Sequence, residues 1–96
     1  MSMLGLGLGL IKKFKAVFLD DKGKKIKTSQ FGDEFYEDYT RHKDKARREK
    51  YRSRHKGNLK KGTYMSPSHL SYYILWGAST NIDSNIRQYK KKYNLT

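Results

Sequence analysis

Phe14-Lys15-Ala16-Val17-Phe18-Leu19-Asp20-Asp21-Lys22-Gly23-Lys24-Lys25-Ile26-Lys27-Thr28-Ser29-Gln30-Phe31 reads as two alternating runs joined by a turn. Between Lys12 and Gly32 the pattern has period two. Phe14, Ala16 and Phe18 fall on one face of an extended strand, while Lys13, Lys15, Val17 and Leu19 fall on the other. Asp20-Asp21-Lys22-Gly23 interrupts the alternation, which resumes through Lys25, Ile26, Lys27 and Thr28 to Phe31. Gly23 can take the positive φ that such a turn needs, so the segment predicts a β-hairpin. Two strands alone are marginal in water, so a helix or a neighbouring chain must cover the Phe14/Phe18 face.

Downstream of the hairpin, Asp33 to Tyr39 gathers four of the nine acids with Phe35, Tyr36 and Tyr39. Acids at such a place suit a helix N-terminus, with Asp38 or Thr40 as the cap. A helix is predicted from Thr40 to Lys56, ending at Gly57. Its apolar content is almost nil, and a helix polar all round is not held by core burial alone. It must bridge elements in solvent or lie on a partner. Ser66 followed by Pro67 predicts a second helix start. The segment from His69 to Trp76 is apolar on nearly every face and is the expected central buried element, with Gly77 ending it and Trp76 against the hairpin face. Ser79 or Thr80 should cap a last helix, in which Ile82, Ile86, Tyr89 and Tyr93 form one stripe and Arg87 and Lys90 to Lys92 lie outside it.

Upstream, Met1 to Leu10 alternates Leu and Gly. The apolar run from Met3 to Ile11 has nine residues, against roughly 20 for a spanning helix. With no basic segment before it and no small-residue cleavage site after it, a signal peptide is not expected, and Ser2 does not fit a myristoylation signal. Two readings remain: a floppy tail, or an extended arm whose Leu4, Leu6, Leu8 and Leu10 are knobs for a neighbour. The expected architecture is therefore α+β. An extended Gly-Leu arm spans residues 1–11, and a single domain over 12–96 holds one hairpin followed by three helices: basic, buried apolar and amphipathic.

Composition bounds the function. The 96 residues carry 22 Lys and Arg against 9 Asp and Glu, a formal net charge of +13, with 35% hydrophobic residues and no cysteine. One small aromatic core is all this length supports; a two-domain enzyme is not expected, and a disulfide scaffold or Cys-based zinc site lacks its ligands. The charge points to an acidic or polyanionic partner. It is concentrated: Arg41 to Lys61 holds eleven Lys and Arg and two acids, a net of +9. The candidate anion-binding residues are Arg41, Lys43, Lys45, Arg47, Arg48, Lys50, Arg52, Arg54, Lys56, Lys60 and Lys61. They could neutralise phosphates, or meet the acidic surface of a protein, and nothing in the pattern indicates base-specific readout.

Catalytic constellations are not expected. Gly5-x-Gly7-x-Gly9 follows no strand and precedes no P-loop lysine. His42 and His55 are about 220° apart around a helix at 100° per residue, so they cannot share a metal. No catalytic or metal-binding residues, no cofactor and no small-molecule substrate are assigned. Tyr72, Tyr73 and Trp76 could stack on single-stranded bases, but their place in an apolar helix suits a core.

Several blocks together resemble a family of short basic proteins encoded by nucleocytoplasmic large DNA viruses, such as those of algae and amoebae. They are Gly23 to Thr28 with Phe31-Gly32, Asp38-Tyr39-Thr40-Arg41-His42-Lys43-Asp44, Arg47-Arg48, Tyr51-x-x-Arg54-His55, Leu70 to Trp76, and Ile86-Arg87-Gln88-Tyr89-Lys90. The resemblance covers roughly residues 12–93 and leaves the Leu-Gly stretch outside. It implies a setting rather than a mechanism: an icosahedral virion, assembled in the host cytoplasm, with an internal membrane and a double-stranded DNA genome. In that setting the expected role is a minor capsid-associated structural protein, bridging larger capsid proteins on the inner face of the shell through the basic helix and the apolar arm. The alternative is a sequence-nonspecific nucleic-acid-binding or genome-condensing virion protein. A third reading places the Leu-Gly arm with Lys12 and Lys13 on the internal viral membrane.

Overall fold

The hairpin forms where the alternation places it. In the computed structural model, which describes residues 1–9 and 12–96, β2 (Phe14–Leu19) pairs antiparallel with β3 (Lys25–Phe31). Gly23 closes the turn at φ +80. The Asp20 carboxylate holds it by accepting from the Lys22 and Lys24 amides, both at 2.9 Å. Ala16 and Phe18 on one face of β2 are fully buried, and Phe14 meets Phe31 across the strands at 6.0 Å between ring centroids.

A third strand joins this pair. The Leu-Gly stretch is extended, as its alternation suggests, but its partner is the chain's own β2 rather than a neighbour. Strand β1 (Ser2–Leu8) runs antiparallel to β2 in the order β1-β2-β3. Met3 lies opposite Phe18 and is buried in the core, and Leu6 lies opposite Ala16 and packs against that core. One extra residue in β1 between these pairs makes a bulge, with Gly5 at φ +94. Of the proposed knobs, Leu6 is therefore spent inside the fold. Leu4 and Leu8 stay exposed, at 68% and 84%, and Leu10 lies outside the described residues. The boundary drawn at residue 11 does not separate an arm from the sheet.

Four α-helices follow instead of three. The basic stretch is interrupted at Lys43, which adopts a left-handed conformation (φ 60, ψ 22). It closes the short helix α1 (Tyr39–His42), and Asp44 opens α2 (Lys45–His55) by accepting from the Ala46 and Arg47 amides at 3.0 and 3.2 Å. An aspartate so placed competes with helix continuation by capping a new one. Asp38 caps α1 through the Thr40 amide at 2.9 Å and is itself held by Lys13 at 3.1 Å. Past His55 the chain tightens into a 3-10 turn over Lys56–Lys61, so the helix does not stop at Gly57 in one step.

The apolar segment is central, as expected. Helix α3 (Pro67–Leu70) starts with Pro67 at its first position and widens into a π-helical turn over Ser71–Leu75. Leu70, Ile74 and Leu75 are buried against Met3, Phe18 and Phe31. Helix α4 (Ile82–Lys92) is capped by Asn81, not Ser79 or Thr80, through the Ser84 amide at 3.0 Å. Its stripe packs as read: Tyr89 is buried, with Ile82, Ile86 and Tyr93 half-buried on the core. Asn85 on the same helix is buried and fully satisfied. It donates to the Ile74 and Ser79 carbonyls at 2.8 and 2.7 Å and accepts from the Ser79 amide at 3.0 Å. Gly77 lies under it, where a Cβ would sit 2.2 Å from the Tyr73 carbonyl oxygen.

Candidate functional site

Helix α2 buries no whole residue, so something other than an apolar stripe must hold it. Two guanidiniums and one ring do so. Arg48 Nε donates to the Gly77 carbonyl at 2.6 Å, and Arg52 Nη1 donates to the carbonyls of Trp76 and Tyr72 at 2.7 and 3.1 Å. The Trp76 and Gly77 carbonyls lie just past the helical segment 67–75 and the Tyr72 carbonyl within its last turn, where carbonyls run short of helical partners and a cation also complements the helix dipole. The Arg52 guanidinium lies 3.9 Å from the Tyr72 ring centroid, and Arg48 lies 5.6 Å from that of Tyr39. Partial burial pulls the Arg52 guanidinium below its usual value.

Between these arginines, Tyr51 stacks flat on Trp76, with centroids 4.1 Å apart and planes 7° apart, and His55 stacks on its other side at 4.0 Å. Trp76 thus meets the basic helix as well as the core to which the hairpin residues Ala16, Phe18 and Phe31 belong. Burial pushes the Tyr51 hydroxyl up from its ordinary range. Tyr72 and Tyr73 pack inside the molecule, meeting edge to face at 5.0 Å, while Tyr73, Tyr89 and Tyr93 form an aromatic cluster with Tyr64.

The structure therefore divides the eleven candidate cations. Arg48 and Arg52 are structural clamps, half-buried and aimed inward. Arg41, Lys43, Lys45, Arg47, Lys50, Arg54, Lys56, Lys60 and Lys61 are exposed. Among the described residues the ion pair recorded within 41–61 is Arg48 with Glu49 at 2.5 Å, so the exposed nine have no recorded acidic partner.

Arg47, Lys50 and Arg54 line one wall of a cleft of about 880 Å³ whose opposite wall is the acidic segment with Asp33, Tyr36 and Glu37. Leu75, Trp76 and Tyr51 also line it. Sequence reasoning missed this juxtaposition, because each wall reads as an ordinary charge run. Phe35 and Tyr36 project from the acidic wall at 91% and 69% exposure, and Phe35 and Leu8 border a second depression with Lys12 and Arg41.

His42 and His55 do not converge. His42 Nδ1 accepts from the Asp44 amide at 2.9 Å, while His55 Nδ1 sits 2.9 Å from the Tyr51 carbonyl. Among the described residues no three His, Cys, Asp or Glu lie close enough to hold a metal ion, and no helix is long and apolar enough to cross a membrane.

These features define a small α+β protein with an externally mounted cationic helix. The model of a family of unknown function, DUF5754, matches residues 10–55. That span takes in β2, β3, α1 and α2, and ends at the last residue of α2. No curated protein and no solved structure matches the chain.

Proposed function

We propose that this chain is a non-catalytic structural protein of the virion of a large icosahedral DNA virus, docking on larger capsid proteins through the face built by α2 and residues 33–38. The carrying observation is the mixture of signs and rings on that face. Arg47, Lys50 and Arg54 stand across a cleft from Asp33 and Glu37, beside exposed Phe35 and Tyr36. Projecting aromatics and arginines interleaved with both charge signs suit a protein surface. A phosphodiester chain brought to the same cleft has no backbone N–H to offer those carboxylates, whereas a polypeptide does. The viral setting comes from the resemblance of the hairpin, Asp38–Asp44 and Ile74–Trp76 blocks. Exposed Leu4 and Leu8 on β1 add apolar contact area in place of the free arm. Stepwise stripping of purified virions tests the reading: the chain should stay with the shell, and its release together with the DNA would overturn it.

The nine exposed cations without recorded ion pairs favour one alternative, nonspecific binding of nucleic acid. It requires duplex binding with a steep log-affinity versus log-salt slope. Absence of binding by the full chain at about 50 mM salt, where the counterion-release contribution is large, removes it.

A further inference from the structure

We propose that the cleft between α2 and residues 33–38 receives an extended, acidic peptide segment of the partner protein, its carboxylates directed to Arg47, Lys50 and Arg54; this rests on the protein-docking reading above. Positions 47, 50 and 54 are three and four residues apart and share one stripe of the helix. They span about 10.5 Å of axis at 1.5 Å per residue. In an extended peptide, alternate side chains on one face repeat at about 6.6 Å. Three alternate carboxylates thus cover about 13 Å, a span that the long Lys and Arg side chains can match.

The remaining lining fits the same occupant. Side chains on the peptide's other face would lie toward Trp76, Tyr51 and Leu75. Asp33 and Glu37 can accept from peptide amide groups, donors that a nucleic-acid backbone does not have. The cationic wall is fixed in place, because the Tyr51–Trp76 stack and the Arg48 and Arg52 clamps pin α2 from its inner side. A pinned helix spares the cost of ordering its backbone when a ligand arrives, so that only the side-chain rotamers remain to be fixed.

Trp76 is the one tryptophan of the chain and lines the cleft, so its emission reports occupancy directly. The full chain is titrated with an acetylated, amidated hexapeptide alternating Glu and Phe. A saturable change in Trp76 emission is expected. Affinity should fall by about tenfold or more in the triple variant Arg47→Gln/Lys50→Gln/Arg54→Gln. It should fall by less than about threefold in Lys56→Gln/Lys60→Gln/Lys61→Gln, which removes the same charge outside the cleft. Far-UV circular dichroism confirms that both variants stay folded, as exposed positions should. Equal weakening of the two variants, or no saturable change with the wild-type chain, overturns the inference. So does tighter binding of a short mixed-sequence oligonucleotide that depends on the same three residues, which would make the cleft a phosphate track. Shell retention without peptide binding removes the cleft proposal and leaves the docking reading standing; release with the DNA removes the docking reading itself.

Discussion

Replacing Arg52 by Met keeps an unbranched apolar stem and removes the charge and the donors. In the folded protein this strips the Trp76 and Tyr72 carbonyls of donors at 2.7 and 3.1 Å and removes a cation from 3.9 Å above the Tyr72 ring. Hydrogen bonds to charged groups contribute about 1.5–3 kcal/mol each when sheltered. Arg52 is only half-buried, so the lower figure applies, and water reaches part of what is lost. With about 0.5–1 kcal/mol for the ring contact and some compensation from the apolar Met, the expected loss is about 2–3 kcal/mol. In a domain of this size that lowers Tm by roughly 10–20 °C. Arg54→Met, two residues along, removes the same charge from an exposed side chain with no recorded partner and should change stability by less than about 0.5 kcal/mol. Thermal and urea unfolding followed by circular dichroism compare the two. Matching losses would show that α2 is merely a solvated cationic surface, and would refute the clamp.

Three further outcomes follow from other parts of the fold. Asp44→Ala removes the cap that restarts the helix after Lys43 and should cost about 1 kcal/mol, with reduced helicity in far-UV circular dichroism. Asn85→Ala strands the Ile74 and Ser79 groups it now satisfies and should cost about 2–4 kcal/mol by urea unfolding; a value near zero would mean that water replaces the amide. Burial holds His69 below its ordinary pKa of 6.5. The unfolded chain then takes up the proton first as pH falls, so the contribution of neutral His69 is complete above pH 6.5 and declines below it. His69→Gln should flatten that part of the stability–pH curve, measured by urea midpoints at several pH values.

The hairpin, the buried segment and the stripe of α4 were legible in the sequence because each is written in a local period. Alternation at two or spacing at three and four fixes which side of an element is apolar, wherever that element ends up. Caps were half legible. Asp38 lay among the two residues named for α1, but Asn81 took the place expected for Ser79 or Thr80, and Asp44 split a run whose propensity is helical throughout.

Tertiary structure decided the rest. An alternating Leu-Gly stretch can add to any open strand edge, and the edge of β2 on the same chain is always close by, so β1 closes the sheet internally. Charge works in the same way. From sequence alone, the high positive charge and its concentration between Arg41 and Lys61 were already fixed, and the expectation of an acidic or polyanionic partner rested on them. Arg47, Arg48, Arg52 and Arg54 carry the same group, and nothing in their spacing tells a clamp from an exposed cation. What separates them is where the carbonyls of Tyr72, Trp76 and Gly77 fall in space, 20 to 29 residues further along the chain. Those carbonyls draw two guanidiniums inward, and the helix they pin sets Arg47, Lys50 and Arg54 along the cleft that the acidic segment also lines.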